Sequence, residues 1–66
     1  MENNLLQLRK EHGYTQQQLA DMLEVSRQTI NAIERGKFNP SVILAIKISR
    51  IFKKQIETIF IYREDE

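Results

Sequence analysis

Residues 15–40 read TQQQLADMLEVSRQTINAIERGKFNP, and this stretch decides the fold. Thr15 can cap one helix by accepting a hydrogen bond from an early backbone N–H group, and Ser26 can cap a second one. Glu24 and Val25 lie between the two helices as a turn. Apolar side chains recur at helical spacing in both segments, at Leu19, Ala20, Leu23, Ile30 and Ile33. The pattern predicts two short helices joined by a tight turn.

The second of these helices carries polar side chains between its apolar anchors. Arg27, Gln28, Thr29 and Asn31 crowd its first turn and a half. Hydrogen-bonding side chains on a helix held by a rigid neighbour are suited to reading base edges in the major groove of DNA. The alternative interpretation is an ordinary exposed helical face.

The segment TQQQLADMLEVSRQTINAIERGKFNPS resembles the helix-turn-helix of the phage-repressor and Cro superfamily, often called the XRE family. The similarity extends from about residue 5 to residue 60. It implies an all-α, five-helix repressor-like domain with the helix-turn-helix core at residues 15–35. Glu24 stands where the family often has glycine, so we expect mild backbone strain there. The positions in family register are Gln16, Leu19, Ala20, Val25, Ser26, Ile30, Glu34, Gly36 and Pro40.

The length and composition exclude several classes of function. Sixty-six residues predict a single domain, residues 1–66. With no cysteine and one histidine, His12, the chain has no full set of groups for nucleophilic or metal chemistry. We therefore expect that the protein is not an enzyme and that it binds no cofactor and no small-molecule ligand. No apolar run is long enough for a membrane span, and residues 1–10 do not resemble a secretory signal, so we expect a cytoplasmic protein.

The charge is unevenly distributed. The formal net charge is only +1, but residues 27–54 hold seven basic residues and one acid, Glu34. Local basic charge on a near-neutral chain is compatible with a polyanion bound on one face. The alternative is a solvated, lysine-rich surface. The final three residues, 64–66, are all acidic.

The resemblance implies further roles for polar residues of the first two helices and for Glu34 at the end of the third. Arg9 is expected to form an ion pair with Glu34 that joins the first helix to the end of the third, and Arg9 can also face a phosphate. Gln16 is expected to contact the DNA backbone at the start of the second helix, where unpaired N–H groups favour an anion. Gln17 and Gln18 have weaker claims to the same role.

The residues expected to touch DNA fall into two groups. Gln28 is the preferred base reader, while Arg27 either reads a base or holds a phosphate, and Asn31 is a ligand of a phosphate or of a base edge. Phosphate contacts fix register without reading sequence. The full base-readout set is Arg27, Gln28, Thr29 and Asn31, and the full phosphate set is Arg9, Gln16, Ser26, Arg35, Lys37 and Asn39.

The segments around the core complete the fold prediction. Asn3 or Asn4 caps the first helix, and Phe38 is expected to be buried under the loop that follows the third helix. Residues 41–52 predict a fourth helix with more apolar residues than one stripe needs, and residues 55–60 predict a fifth. The tail, residues 61–66, either pairs as a short strand with residues 1–3 or forms a frayed acidic end.

These observations together predict a sequence-specific transcriptional regulator that binds double-stranded DNA and acts as a repressor. A homodimer would double the base-reading side chains and match a palindromic operator. The residues expected at the dimer surface are Ile56, Ile59, Ile61 and Tyr62, with exposed apolar residues of the fourth helix. The alternative function is a protein-interaction module of antitoxin type, whose main partner is another protein.

Overall fold

The computed structural model describes residues 1–65, which form five helices and a two-stranded sheet. The final acidic residue, Glu66, lies outside the described residues. In chain order the elements are β1 (Glu2–Asn3), α1 (Leu5–Glu11), α2 (Gln16–Leu23), α3 (Arg27–Glu34), α4 (Val42–Phe52), α5 (Ile56–Ile59) and β2 (Phe60–Ile61).

Side-chain caps begin three of the helices. The Thr15 hydroxyl accepts from the Gln18 N–H at 3.0 Å, and the Gln18 side chain accepts from the Thr15 N–H at 2.8 Å, which completes a capping box. The predicted Ser26 cap is confirmed, since its hydroxyl accepts from the Thr29 N–H at 3.1 Å. Ser41 caps α4 in the same way, so α4 begins one residue later than predicted.

The first helix is capped by a different arrangement. Asn4 occupies the cap position, but the side chain that accepts the Leu5 N–H, at 3.1 Å, belongs to Asn3. The Asn3 amide also donates to the Ile33 carbonyl at 2.8 Å, while the Asn4 amide donates to the Thr58 carbonyl at 3.0 Å. The N-terminal segment therefore bridges α3 and α5.

Two residues other than glycine adopt the left-handed conformation at helix ends. Glu24 ends α2 with φ 59°, which confirms the expected strain in the turn. Lys53 ends α4 with φ 54°. Left-handed backbone costs free energy for a side chain with a Cβ atom, so both turns are held by the packing of the helices around them.

The core lies where α2, α3 and α4 meet α1 and α5. Its fully buried large side chains are Leu5, Leu19, Leu23, Ile30, Ile33, Ile48 and Ile59. Phe38 does not join them, because 49% of it is exposed, and the prediction that it fills the space under its loop is wrong. The described helices contain at most 11 residues, and none is long and apolar enough to cross a membrane.

The predicted pairing of the tail with the N-terminus is confirmed. Strands β1 and β2 are antiparallel, with Glu2 opposite Ile61 and Asn3 opposite Phe60. Arg63 forms an ion pair with Glu2 at 2.8 Å just beyond the strands. The hydrogen bond and the charge of Arg63 hold the pKa of the Glu2 carboxyl below its ordinary value.

Candidate nucleic-acid interface

Helices α2 and α3 are joined by the three-residue turn Glu24-Val25-Ser26. Ala20 has no exposed surface, and its carbonyl accepts from the Val25 N–H at 3.0 Å. A methyl side chain at this position lets the two helices approach closely. Leu19 and Ile30 are also fully buried, so the position of α3 is fixed by apolar packing from α2.

The first turn of α3 presents polar side chains to solvent. Arg27 and Gln28 are exposed, whereas Thr29 is half-buried. The Thr29 hydroxyl lies 2.9 Å from the Ser26 hydroxyl, so the cap and the side chain three residues later are tied together. Arg27 and Gln28 therefore have the freedom to reach an external partner, while Thr29 and Ser26 form a rigid support beside them.

Cationic and amide side chains flank the other end of α3. Arg35, Lys37 and Asn39 are all exposed in the loop after the helix. Gly36 has φ 72°, and a Cβ atom there would lie 3.2 Å from the Met1 carbonyl oxygen. This glycine lets the N-terminal segment pack closely on the end of α3. The loop can thus present its two cations on a backbone that is anchored from both sides.

The structure joins Arg9 of α1 to Glu34 at the end of α3. Arg9 Nε donates to Glu34 Oε2 at 2.6 Å, and its terminal nitrogens donate to Glu34 Oε1 at 3.3 Å and to the Tyr14 carbonyl at 2.9 Å. Only 10% and 4% of the two side chains are exposed. With its donors directed inward, Arg9 does not fit the phosphate contact also predicted for it.

Gln16 links this ion pair to the outer side of α3. Its Nε2 donates to Glu34 Oε1 at 3.0 Å and to Asn31 Oδ1 at 3.3 Å. Sequence reasoning missed this link, because Gln16 lies 15 residues from Asn31 and 18 residues from Glu34 in the chain, and no local pattern connects it to them. Gln16 is half-buried, so the side chain predicted to contact a phosphate is already engaged within the protein.

The predicted dimer residues divide between the core and the surface. Ile59 is fully buried, so its assignment to a dimer interface is wrong: the short helix α5 turns this side chain into the core. Ile56 and Ile61 are half-buried, and Tyr62 is 69% exposed. On α4, three further apolar side chains are exposed: Val42 by 75%, Ile43 by 69% and Ile46 by 39%.

Buried polar atoms are well satisfied in this scaffold. Among residues 1–65, every buried side-chain nitrogen or oxygen has a hydrogen-bond partner. Within the same range, no three His, Asp or Glu side chains are grouped closely enough to hold a metal ion. The candidate interface carries amide, hydroxyl, ammonium and guanidinium groups, and such groups are suited to hydrogen bonding with phosphates and base edges.

Comparison with known proteins identifies the scaffold. A helix-turn-helix family model, HTH_3, matches residues 5–59. The chain belongs to this helix-turn-helix family. An uncharacterised HTH-type transcriptional regulator of Methanocaldococcus jannaschii is 54% identical over 66 residues, covering all of both chains. The regulator YgzD of Bacillus subtilis is 40% identical over 65 residues, covering 98% of each chain.

A solved structure shares the fold. The restriction-modification controller protein C.AhdI from Aeromonas hydrophila superposes with a TM-score of 0.76 and 26% identity over 86% of each chain. The resemblance and the five-helix fold class inferred from the sequence are therefore confirmed. The family is one of DNA-binding transcriptional regulators, not of enzymes.

Proposed function

We propose that the protein is a sequence-specific repressor that binds a palindromic operator as a homodimer, with α3 in the major groove. The observation that carries the proposal is the exposure of Arg27 and Gln28 at the start of a helix whose position is fixed by buried contacts. Arginine suits the acceptors of guanine, and glutamine suits the edge of adenine. The competence pilus inhibition repressor of Acinetobacter baylyi is 34% identical over 58 residues, which cover 88% of this chain and 53% of that relative, and its name supports repression over activation.

The proposed phosphate ligands surround α3. Arg35 and Lys37 are exposed cations at its C-terminal end, and Asn39 is an exposed amide in the same loop. Ser26 lies at the opposite end, at the cap. Contacts on both sides of the helix would fix its register in the groove, since phosphate contacts orient a protein without reading sequence. Thr29 and Asn31 complete the proposed base-readout set beside Arg27 and Gln28.

A homodimer is supported by the apolar surface that α4 leaves in water. We call Val42, Ile43 and Ile46 the α4 apolar face. An open groove of about 200 Å³ borders it, lined by Met1, Asn39, Pro40, Val42, Ala45, Ile56 and Phe60. The chain measures 33 × 23 × 21 Å. The proposed palindromic operator then has half-sites about 34 Å, one turn of DNA, apart.

DNA binding is tested by fluorescence anisotropy across a salt series. The probes are the duplex upstream of the gene and a scrambled duplex of equal length. We expect salt-sensitive binding to both and much tighter binding to the first. Gln28→Ala should cost about 1–3 kcal/mol and relax the preference at one base pair, whereas Lys37→Ala should weaken both duplexes equally. Absence of binding at low salt would overturn the proposal and favour a protein partner.

The dimer is tested by sedimentation at micromolar concentration. We expect the wild type to sediment as a dimer and Ile43→Glu as a monomer, because a charge on the α4 apolar face would be buried without a partner. Gln17→Glu introduces the same charge on the exposed side of α2 and should leave the dimer intact. A monomeric wild type, or equal behaviour of the two variants, would contradict this assembly.

A further inference from the structure

A chain of hydrogen bonds runs from the buried Arg9–Glu34 pair through Gln16 to Asn31, which is half-buried on α3. The donor and acceptor in each of these hydrogen bonds can be assigned by starting from the Arg9 guanidinium, because it has only donors and stays protonated in proteins. Both Glu34 oxygens receive a hydrogen bond from Arg9, so both act as acceptors. The group of Gln16 that lies 3.0 Å from Glu34 Oε1 is therefore its amide nitrogen.

The same reasoning fixes the orientation of Asn31. Gln16 Nε2 has two hydrogens: one is directed to Glu34 and the other to Asn31, at 3.3 Å. Two amide nitrogens would be donors facing each other, so the Asn31 atom that faces Gln16 is its oxygen. The Asn31 Nδ2 group is left without an acceptor inside residues 1–65 and is the part of the amide available to an external partner.

We infer that Asn31 acts on DNA as a hydrogen-bond donor, with its orientation set by Gln16. The inference rests on the proposed function and refines two of its residues. The paired contact of an asparagine with adenine needs both amide atoms on the base edge, and here the oxygen faces the protein. Asn31 therefore selects an acceptor: guanine O6 or N7, adenine N7, thymine O4, or a phosphate oxygen. Gln16, with both amide hydrogens engaged, is a positioning residue and not itself a phosphate ligand.

The test is selection from a duplex library with a randomised centre, followed by affinity measurements on single-base variants of the selected site. Asn31→Asp keeps the shape of the side chain but offers only acceptors, and we expect it to weaken binding roughly tenfold or more. If the contact is to a base, the loss falls at one base pair, where the wild type prefers guanine, thymine or both purines equally. If the contact is to a phosphate, all duplexes weaken equally.

Gln16→Met tests the positioning role, with Gln17→Met as the matched control. Methionine has nearly the length of glutamine without the amide, so the Asn31 amide would lose its anchor. We expect Gln16→Met to weaken binding in the same pattern as Asn31→Ala, and Gln17→Met to stay within about twofold of the wild type. Circular dichroism of both variants establishes that they are folded.

Three results would overturn the inference. The first is a preference for adenine over guanine in the wild type that Asn31→Ala removes, because that preference needs the amide oxygen on the base edge. The second is an Asn31→Asp variant that binds like the wild type, and the third is a Gln16→Met variant that does so. In all three the wild type still binds DNA, so the proposed function survives. A wild type without DNA affinity overturns both.

A measurement on the free protein, without DNA, tests whether the Gln16 amide hydrogens are hydrogen-bonded as described. The side-chain amide hydrogens of Gln16 and Gln17 are compared by NMR hydrogen exchange. We expect slower exchange at Gln16, because its side chain is half-buried beside the Arg9–Glu34 pair and both of its amide hydrogens are hydrogen-bonded. Equal exchange rates at the two glutamines would remove the basis of the inference.

Discussion

Polar side chains in the helix-turn-helix segment are paired with one another, whereas α4 leaves apolar side chains in water. The first region contains the capping box of Thr15, the Ser26 cap and the Arg9–Glu34 pair. The second contains the α4 apolar face, exposed by 39–75%. Hydrogen bonds are directional and hold side chains in one orientation, while apolar burial depends mainly on area. The first region is thus suited to reading a fixed pattern of atoms, and the second to covering by another protein surface.

The largest expected effect is on the ion pair that anchors α3. Glu34→Ala strands a buried guanidinium, so we expect a loss of about 3–5 kcal/mol in the free energy of unfolding, measured by urea titration. The double variant Arg9→Met with Glu34→Leu removes both charges and should regain much of this loss. A loss below about 1 kcal/mol for Glu34→Ala would mean that the pair behaves like a surface pair, and the contrast between the two regions would weaken.

Two isoleucines of α4 divide the helix into a buried and an exposed side. Ile48 is fully buried, and Ile48→Ala should cost about 2–5 kcal/mol. Ile43 is 69% exposed, and Ile43→Ala should cost less than about 1 kcal/mol in dilute protein. If a second copy covers the α4 apolar face, the cost of Ile43→Ala grows with protein concentration in thermal unfolding, by mass action. A cost independent of concentration would argue that the face stays in water.

Substitution of two serine caps that have the same geometry can distinguish an effect on stability from an effect on DNA binding. The Ser26 and Ser41 hydroxyls each accept a helix N–H at 3.1 Å. Ser26→Ala and Ser41→Ala should each cost about 1 kcal/mol in urea titration. We expect only Ser26→Ala to weaken DNA binding in anisotropy, because this cap begins α3, the helix proposed to enter the major groove. Equal losses of DNA affinity would show that the effect comes from stability alone.

The smallest expected effect concerns the exposed pair that closes the terminal sheet. The lowered pKa of Glu2 means that its ionised form is favoured in the folded state. The pair therefore contributes to stability above the ordinary pKa of the carboxyl, and this contribution is lost as the pH falls through the lowered value. We expect Glu2→Gln to lower the urea midpoint slightly near neutral pH and not at all in strong acid. A difference that persists in acid would assign the effect to strand pairing.

Much of the helix-turn-helix could be predicted because its signals are local. Thr15 and Ser26 act on N–H groups three residues away, and Leu19, Ala20 and Ile30 repeat at helical spacing. The strain at Glu24, where the family often has glycine, could also be predicted, because the turn requires a left-handed residue there whatever its side chain. Such features depend on neighbours within one or two helical turns.

The errors occurred where burial depends on distant parts of the chain. Ile59 and Tyr62 are both apolar and close in sequence, yet one is fully buried and the other 69% exposed. Phe38 lies in a loop whose path is set by α3 and the N-terminal segment, and it faces solvent. Composition alone does not distinguish these residues, because their surroundings come from helices tens of residues away.

From the sequence alone we could predict the helices, the Thr15 and Ser26 caps, the tight turn and the family, because these follow from short-range hydrogen bonding and periodicity. The Ser41 cap of α4 was not predicted. Only the tertiary structure decided which side of α4 is buried, that Ile59 belongs to the core, and that Gln16 lies between Glu34 and Asn31. The physical reason is that side-chain orientation in a polar cluster is set by the partners that surround it. In this chain those partners come from α1, α2 and α3, which meet only when the fold is complete.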